Sequence, residues 1–510
     1  MPRWTRRFLR PEEAAPRSDE PSRFVNLRNG ERLDLAAVPL YSPEEFSRVV
    51  SGVGEGGARL IALVARPEGP GLRLLAVLAD DWGGRLGVTA TDLPEPGAPE
   101  YPALTPQLPE AHWFERELHE EHGIVPRGHP WLKPIRRERG YEFYRVEGEE
   151  VHEVAVGPVH AGIIEPGHFR FQCHGEEVMH LEIQLGYQRR GAEAILERPG
   201  LSPARAALTV ETIAGDSSIA HGLAHAAAVE ALAGVEPPPR AQMLRAIALE
   251  LERLANHTGD LGGISADIAY LPGSAYFPRL RGEFLNLGQE LCGNRYGRNL
   301  VRPGGVQFDL SAAQVESIRK RVEKARAEFR ELVEMFFEEP SVGARLERTG
   351  RVDRHTAEDI GLVGPAGRAS GCDRDVRRDH PVGAYRFWHV PVAVATSGDV
   401  YARALVRRLE GERSLTFLRE ALAGLPAGPV SRPCGPLAPG ALAVGMAEGW
   451  RGETVHVIQT GADGAIARYK VVDPSFHNWF GLAMALRGEA ISDFPLCNKS
   501  FNLSYAGHDL

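Results

Sequence analysis

Between about residues 205 and 340 the chain is patterned as helix on a scale that few folds can accommodate. In PPRAQMLRAIALELERLANHTGDLGG, Leu244, Ile247, Leu251 and Leu254 return at helical spacing, prolines precede the run, and Gly259 stands close to its expected end. SAAQVESIRKRVEKARAEFRELVEMFFEE repeats the pattern, with Val315, Ile318, Val322 and Phe329 on one stripe and charges elsewhere. A helix with one apolar stripe must bury it against another element, so two such helices predict a helical bundle at the core. Other segments read as sheet. ARLIALVARPEGPGLRLLAVLAD predicts two strands around a Pro-Glu-Gly-Pro turn, and ETVHVIQTGADGAIARYKVV predicts a hairpin around Gly461 to Gly464. The expected fold class is α+β: a small N-terminal α/β domain over 1–148, then a large, mainly helical domain over 149–510 with peripheral β-hairpins. The division falls where an acidic helix in HWFERELHEEHGIVPRGHPWLKPIRRERG runs into a Pro/Gly-rich and then basic segment.

With 510 residues, 43% hydrophobic and 25% charged, the chain can bury a large core. A net charge of −9 and the lack of a sustained basic stripe argue against nucleic acid as the main partner. The basic opening MPRWTRRFLR is not followed by an apolar run, so no export signal is expected and the protein should stay in the cytoplasm. The most apolar window, about Leu437 to Trp450, is broken by Pro439 and glycines and falls short of the roughly 20 residues that span a bilayer. The five cysteines, Cys173, Cys292, Cys372, Cys434 and Cys497, stand singly, which gives no zinc, iron-sulfur or disulfide framework and favours packed thiols. GVGEGG, Gly52 to Gly57, satisfies GxGxxG, but a strand follows it where the dinucleotide fingerprint needs a helix; it is read as a loop, with no nucleotide site.

TIAGDSSIAH, Thr212 to His221, opens another helix and mixes small residues, a carboxylate and two hydroxyls. His221 and His225 share one helical face, as zinc sites require, but only Gly222, Leu223 and Ala224 lie between them, so a packed or hydrogen-bonded pair is favoured.

ELHEEHGIVPRGHP, VGPVHAGIIEPGHFRF, LGYQRRGAE, PPRAQMLRAIALELERL, GLVGPAGRASG, GDVYAR and RYKVVDPSFHNW follow one another in a familiar order. With these segments the chain resembles the large subunits of nickel-iron hydrogenases from membrane-bound, complex I-related systems, of the formate hydrogenlyase type. It is similar also to the 49 kDa subunit of complex I, with a domain like the 30 kDa subunit fused ahead of it. In such hydrogenases the segment matching Thr212 to His221 reads R-x-C-G-x-C-S-x-x-H, and a C-terminal D-P-C-x-x-C completes the nickel ligands. Here those positions are Ala214, Ser217, Ser504 and Gly507, so the resemblance implies a vacated metal site: a methyl cannot coordinate and a serine hydroxyl is a hard, poor replacement for a thiolate. Cys497 lacks a second cysteine at the required spacing and is read as packed.

The resemblance also assigns roles to what remains. Glu211 matches the glutamate that carries protons from the metal, Asp216 is new, and Arg451 matches the arginine of a P-R-G motif in which Trp450 replaces proline. Glu211 and Asp216 would form a proton relay if paired and partly buried, or one of them a salt bridge to Arg451 or Arg190. The tyrosine that holds a quinone headgroup in 49 kDa subunits falls on Gly215, and His168 lies close to, but not on, the position of its histidine partner, which makes it a candidate quinone contact or a structural residue. The implied function is that of a core peripheral subunit of a membrane-bound oxidoreductase, of the NADH-quinone oxidoreductase or hydrogenase-4 kind, coupling electron transfer to ion translocation without a nickel-iron site. The alternatives are a redox-silent scaffold and a nickel-iron hydrogenase. The chain itself is expected to bind no cofactor. The implied partners are a small subunit with an iron-sulfur cluster and antiporter-like membrane subunits, a quinone is a candidate acceptor, and the expected location is the cytoplasmic face of the plasma membrane.

Overall fold

The computed structural model describes residues 23–93, 99–136, 141–159 and 165–510. The opening MPRWTRRFLR and residues 160–164 of the VGPVHAGIIEPGHFRF segment lie outside the described residues.

The leucine stripe belongs to a helix, Pro239–Asp267, that runs past Gly259, its expected end. Packing explains the difference. The helix Leu271–Cys292 doubles back along it. A Cβ on Gly259 would lie 2.8 Å from Arg281 Cδ, one on Gly262 3.0 Å from Pro278 Cδ, and one on Gly263 2.7 Å from Lys499 Cδ. The glycines therefore mark close approach rather than termination. The second patterned segment forms the helix Ala312–Glu338, opened by a capping box in which Ser311 and Gln314 satisfy each other's backbone N–H groups. A further long helix, Val400–Ala423, packs on both Pro239–Asp267 and Ala312–Glu338 and completes the bundle.

The N-terminal sheet places Val25–Leu27, Arg85–Leu93, Gly71–Asp80 and Arg59–Glu68 side by side, antiparallel, with Leu40–Tyr41 parallel to Arg85–Leu93. GVGEGG is not a loop: the helix Pro43–Gly56 continues through it, Gly57 at φ 87° ends the helix, and the expected strand follows at Arg59. The acidic helix is His112–His122, closed by Gly123 in the left-handed region at φ 65°.

The C-terminal hairpin, Glu453–Thr460 with Ile466–Val472, forms as expected but is not peripheral. Every residue of Glu453–Thr460 and of its neighbour Ala441–Glu448 is buried. The helix Ser218–Ala233 lies so close to this sheet that a Cβ on Gly445 would stand 1.9 Å from the carbonyl oxygen of Ala224. On its other edge the sheet accepts Arg32–Asp34 from the N-terminal part of the chain, where buried Asn29 donates to Met446 O (3.0 Å) and accepts from Met446 N (2.8 Å). Ion pairs join the same halves: Arg59 to Glu453, and Lys470 to Glu117 at 2.8 Å.

Several charges on the long helices are buried inside the bundle. Glu410 of Val400–Ala423 receives Arg253, and Arg368 at 2.7 Å; Arg368 reaches Glu448 at 2.7 Å, and Arg377 joins Glu250 at 2.9 Å. Arg253 also donates to the carbonyls of Glu448 (3.0 Å) and Gly449 (2.7 Å). Burial alone would raise the Glu410 carboxyl, but the guanidiniums of Arg368 and Arg253 outweigh it and hold the group well below the usual carboxylate range. Breaking such a pair leaves an uncompensated charge in the core. Glu410→Ala should therefore cost about 3–5 kcal/mol in chemical denaturation of the purified chain, whereas loss of the exposed Arg319–Glu316 pair should cost about 0.5 kcal/mol or less.

Candidate functional site

The short segment ahead of the helix Ser218–Ala233 is fixed by its side chains. The carbonyl of Asp216 accepts from Trp450 Nε1 (3.0 Å) and Asn256 Nδ2 (2.9 Å). Its carboxylate takes a bidentate grip from Arg451, Nη1 to Oδ1 at 2.6 Å and Nη2 to Oδ2 at 2.9 Å. Arg451 stacks over the Trp450 ring at 3.9 Å and donates Nε to the carbonyl of Asn502 at 2.6 Å. One guanidinium thus ties the segment at 216 to the C-terminal segment at 502. Asp216 and Trp450, both departures from the hydrogenase pattern, touch each other.

Ala214, Ser217, Ser504 and Gly507, the positions at which the resemblance expects thiolate ligands, belong to the two segments that this clamp joins. Ala214 and Ser217 are joined through backbone, Ser217 N donating to the Ala214 carbonyl at 2.9 Å, and the Ser217 hydroxyl lies 3.4 Å from Arg451 Nη1. Ser504 uses its hydroxyl to cap the last short helix, accepting from Gly507 N at 2.9 Å. A Cβ on Gly507 would sit 2.6 Å from Asp473 Cγ, so the carboxyl of Asp473 fills the space a side chain there would need. Among the described residues no group of three or more His, Cys, Asp or Glu side chains is disposed to hold a metal ion. Cys497 is buried and free, and burial pushes its thiol up to about 12.

Behind the clamp runs a buried chain of polar side chains. His221 Nε2 lies 3.0 Å from Asp473 Oδ2 and its Nδ1 3.0 Å from His456 Nε2; His456 Nδ1 and His225 Nδ1 both meet the Tyr469 hydroxyl, at 2.7 Å and 2.8 Å. His221 and His225 are thus a hydrogen-bonded pair joined through two intermediates. Burial lowers His225 to about 4 and His456 well below its ordinary value, which keeps both imidazoles neutral at pH 7.

Glu211 turns elsewhere. It accepts from Asn299 N (2.9 Å) and Arg302 Nη1 (2.8 Å), while Asp216 pairs with Arg451, so each carboxylate has its own arginine. Arg190 instead donates to the carbonyls of Thr212 (2.5 Å) and Ile213 (2.7 Å). His168, the candidate quinone contact, opens the strand His168–His174 and meets Arg170 Nε at 3.2 Å and the Phe143 ring at 5.1 Å. In front of the clamp opens a cavity of about 520 Å³, walled by Gly215, Asp216, Arg451 and Ser504 together with Glu165, Arg281, Arg298, Lys499 and Tyr505. His168 and Glu211 are not among its walls.

Several of these groups escaped sequence reasoning. Asp473, His456 and Tyr469 lie in segments that read for family order or for strand pattern, and nothing local marks them as neighbours of His221. Glu252 is another: it sits among leucines on the long helix, yet its carboxylate caps the helix Ser218–Ala233, accepting from Ile219 N (2.7 Å) and Ala220 N (3.2 Å). No local signal could have found it, since Ser217 at the N-cap position is itself a good capping residue and only the structure shows that its side chain makes no such bond.

Comparison with known proteins assigns the class. Residues 267–434 match the family of the respiratory-chain NADH dehydrogenase 49 kDa subunit, and residues 62–146 that of the 30 kDa subunit. The chain belongs to the family that unites the 49 kDa subunits of these dehydrogenases with related hydrogenase subunits. Its relatives include formate hydrogenlyase subunit 5 of Escherichia coli, 32% identical over 464 residues, covering 85% of this chain and 81% of that protein. Hydrogenase-4 component G of Escherichia coli is 31% identical and covers 80% and 76% of the two chains. NADH-quinone oxidoreductase subunit 4 of Thermus thermophilus is 32% identical, over 64% of this chain and 76% of its own.

Burial raises Glu252 from an ordinary 4.5 to about 8, despite the two N–H groups it accepts from. The folded protein then keeps this proton where the unfolded chain releases it, so the contribution to stability is fully present below about pH 4.5 and lost by about pH 8. Glu252→Gln should flatten that decline, removing about 2–4 kcal/mol of pH-dependent change between these limits, read from denaturation midpoints across pH.

Proposed function

We propose that this chain is the core peripheral subunit of a membrane-bound, complex I-related oxidoreductase that couples electron transfer to ion translocation without nickel. The observation that carries the reading is the chemistry of the vacated ligand positions on a scaffold otherwise similar to its relatives. A methyl, a hydroxyl beside Arg451, a hydroxyl committed to a helix cap and a glycine backed by Asp473 do not fit a metal that takes four thiolates. A quinone headgroup is a candidate acceptor, but Gly215 offers it no hydroxyl and His168 is engaged with Arg170, so it would be held without the donor pair of the 49 kDa subunits. Electrons would arrive from an iron-sulfur cluster in a small partner subunit. Membrane attachment would come through antiporter-like subunits at the cytoplasmic face, since no helix among the described residues is long and apolar enough to cross a membrane.

A direct test is purification of the complex from native membranes. The chain should fractionate with membranes, copurify with a small subunit carrying cluster cysteines, and contain no stoichiometric nickel by elemental analysis. One nickel per chain, or recovery as a stable soluble monomer from its native host, would overturn the reading.

The redox-silent scaffold keeps one supporting observation: Asp216 and Glu211 each sit in an ion pair with arginine, which is also what a purely structural carboxylate does. Amide substitution separates the two readings. If these groups exchange protons during turnover, Asp216→Asn and Glu211→Gln should lower ion translocation in membrane vesicles by tenfold or more at unchanged complex yield. Normal translocation, or loss only through failed assembly, assigns them to the scaffold. Ser217→Ala should cost about 1 kcal/mol or less, because only a neutral hydroxyl at long range from Arg451 is removed.

A further inference from the structure

The cavity in front of the Asp216–Arg451 clamp carries more positive charge than the clamp needs. Its walls contribute Arg281, Arg298, Arg451 and Lys499 against the carboxylates of Asp216 and Glu165. Asp216 is consumed by Arg451, and Glu165 accepts from the backbone N–H of Tyr505 at 3.0 Å. Arg281, Arg298 and Lys499 make no ion pair with any described residue. They come from three separate elements: the helix Leu271–Cys292, the loop after it, and the helix Phe494–Phe501.

Placement distinguishes these cations from solvated surface charges. The stems of Arg281 and Lys499 lie against the glycine surface of the long helix, at the close approaches that Gly259 and Gly263 permit. Arg298 reaches over Gly215, its Nη2 3.3 Å from where a Cβ would stand, and its Nε is buried without a hydrogen-bond acceptor. Tyr505, which is 5% exposed, lines the same cavity, where Asn498 stands beside its hydroxyl. The cationic side chains thus outnumber the two wall carboxylates, Asp216 and Glu165. A buried N–H without an acceptor is costly, and a guanidinium satisfies this most strongly with a carboxylate or phosphate.

We propose that this cavity binds a small organic dianion, recognised by Arg281, Arg298 and Lys499 through its carboxylate or phosphate oxygens. At about 520 Å³ it has room for a molecule of a few carbons with its water, and its polar, cation-rich walls suit an ionised molecule better than an isoprenoid quinone. Asp216 sets the polarity of the site, because it neutralises the arginine deepest in the clamp. The proposal goes beyond the electron-transfer reading and stands whether the complex is redox-active or a scaffold.

The test is calorimetric titration of the purified complex, and of the isolated full chain, with malonate and with inorganic phosphate at low ionic strength. Saturable binding of at least one probe to both samples, weakened by added salt, is expected. Arg298→Gln and Lys499→Gln should each weaken it about tenfold, while the remote exposed variant Arg319→Gln should leave it unchanged. Asp216→Asn should act in the opposite direction and tighten binding, because it frees Arg451; a variant that merely disturbed folding would not. Absence of saturable binding to either sample, or binding insensitive to Arg298→Gln and Lys499→Gln, would overturn the proposal. Binding to the isolated chain but not to the complex would overturn it too, since a partner's carboxylates would then own these cations. None of these outcomes bears on nickel content or membrane association, so the two readings fail separately.

Discussion

The position of everything around the clamp depends on the buried pairing of Arg253 with Glu410. Glu410 belongs to the helix Val400–Ala423 and Arg253 to Pro239–Asp267, so the pair sets how two long helices cross. Arg253 also holds the carbonyls of Glu448 and Gly449, at the end of the strand that delivers Trp450 and Arg451. One turn along the same helix from Arg253, Asn256 grips Asp216, and next to Arg253 stands Glu252, which caps the histidine-bearing helix. A single guanidinium thus fixes the depth at which the arginine of the clamp meets its carboxylate. Such an arrangement is expensive to desolvate, and its value lies in uniqueness of geometry: an apolar crossing could slide by a fraction of a helical turn, whereas this one has one arrangement in which its charges are satisfied.

The clamp shows how an ionic contact can join two distant segments of the chain. Arg451 spans from Asp216 to the carbonyl of Asn502, and Asp473 occupies the room beside Gly507. Trp450 supports the clamp, because its indole N–H binds the carbonyl of the very residue whose carboxylate Arg451 holds.

Much of this is legible in the sequence. The α+β class, the strands over 58–80, the hairpin around Gly461 and the helix that carries Val315, Ile318, Val322 and Phe329 all rest on local signals, and the structure has them. The departures share a cause. Gly259 reads as a helix end and Gly52 to Gly57 as a loop because glycine marks termination and close packing alike, and only the neighbour decides. The hairpin reads as peripheral because strands buried on both faces look, in sequence, much like any apolar run. The buried pairing of Glu250 and Arg253 leaves no local mark because their partners, Arg377 and Glu410, stand more than a hundred residues away. The carboxylates at 211 and 216, close in sequence, are separate in space, since the turn between them sends each to a different arginine.

Asn29 reaches the backbone of Met446 across 417 residues of chain, and Arg32–Asp34 waits for the same strand. During synthesis at about 5–20 residues per second, that edge stands unpaired for on the order of 20 to 80 seconds after it leaves the ribosome. This part of the chain is therefore made long before the strand that completes it. Fusion to the larger domain answers this difficulty, because the missing strand arrives tethered, at a high effective concentration, rather than by chance encounter with a separate subunit. The covalent link between the two domains thus acts less as a connector in the mature complex than as a guarantee, on every newly made chain, of one-to-one supply.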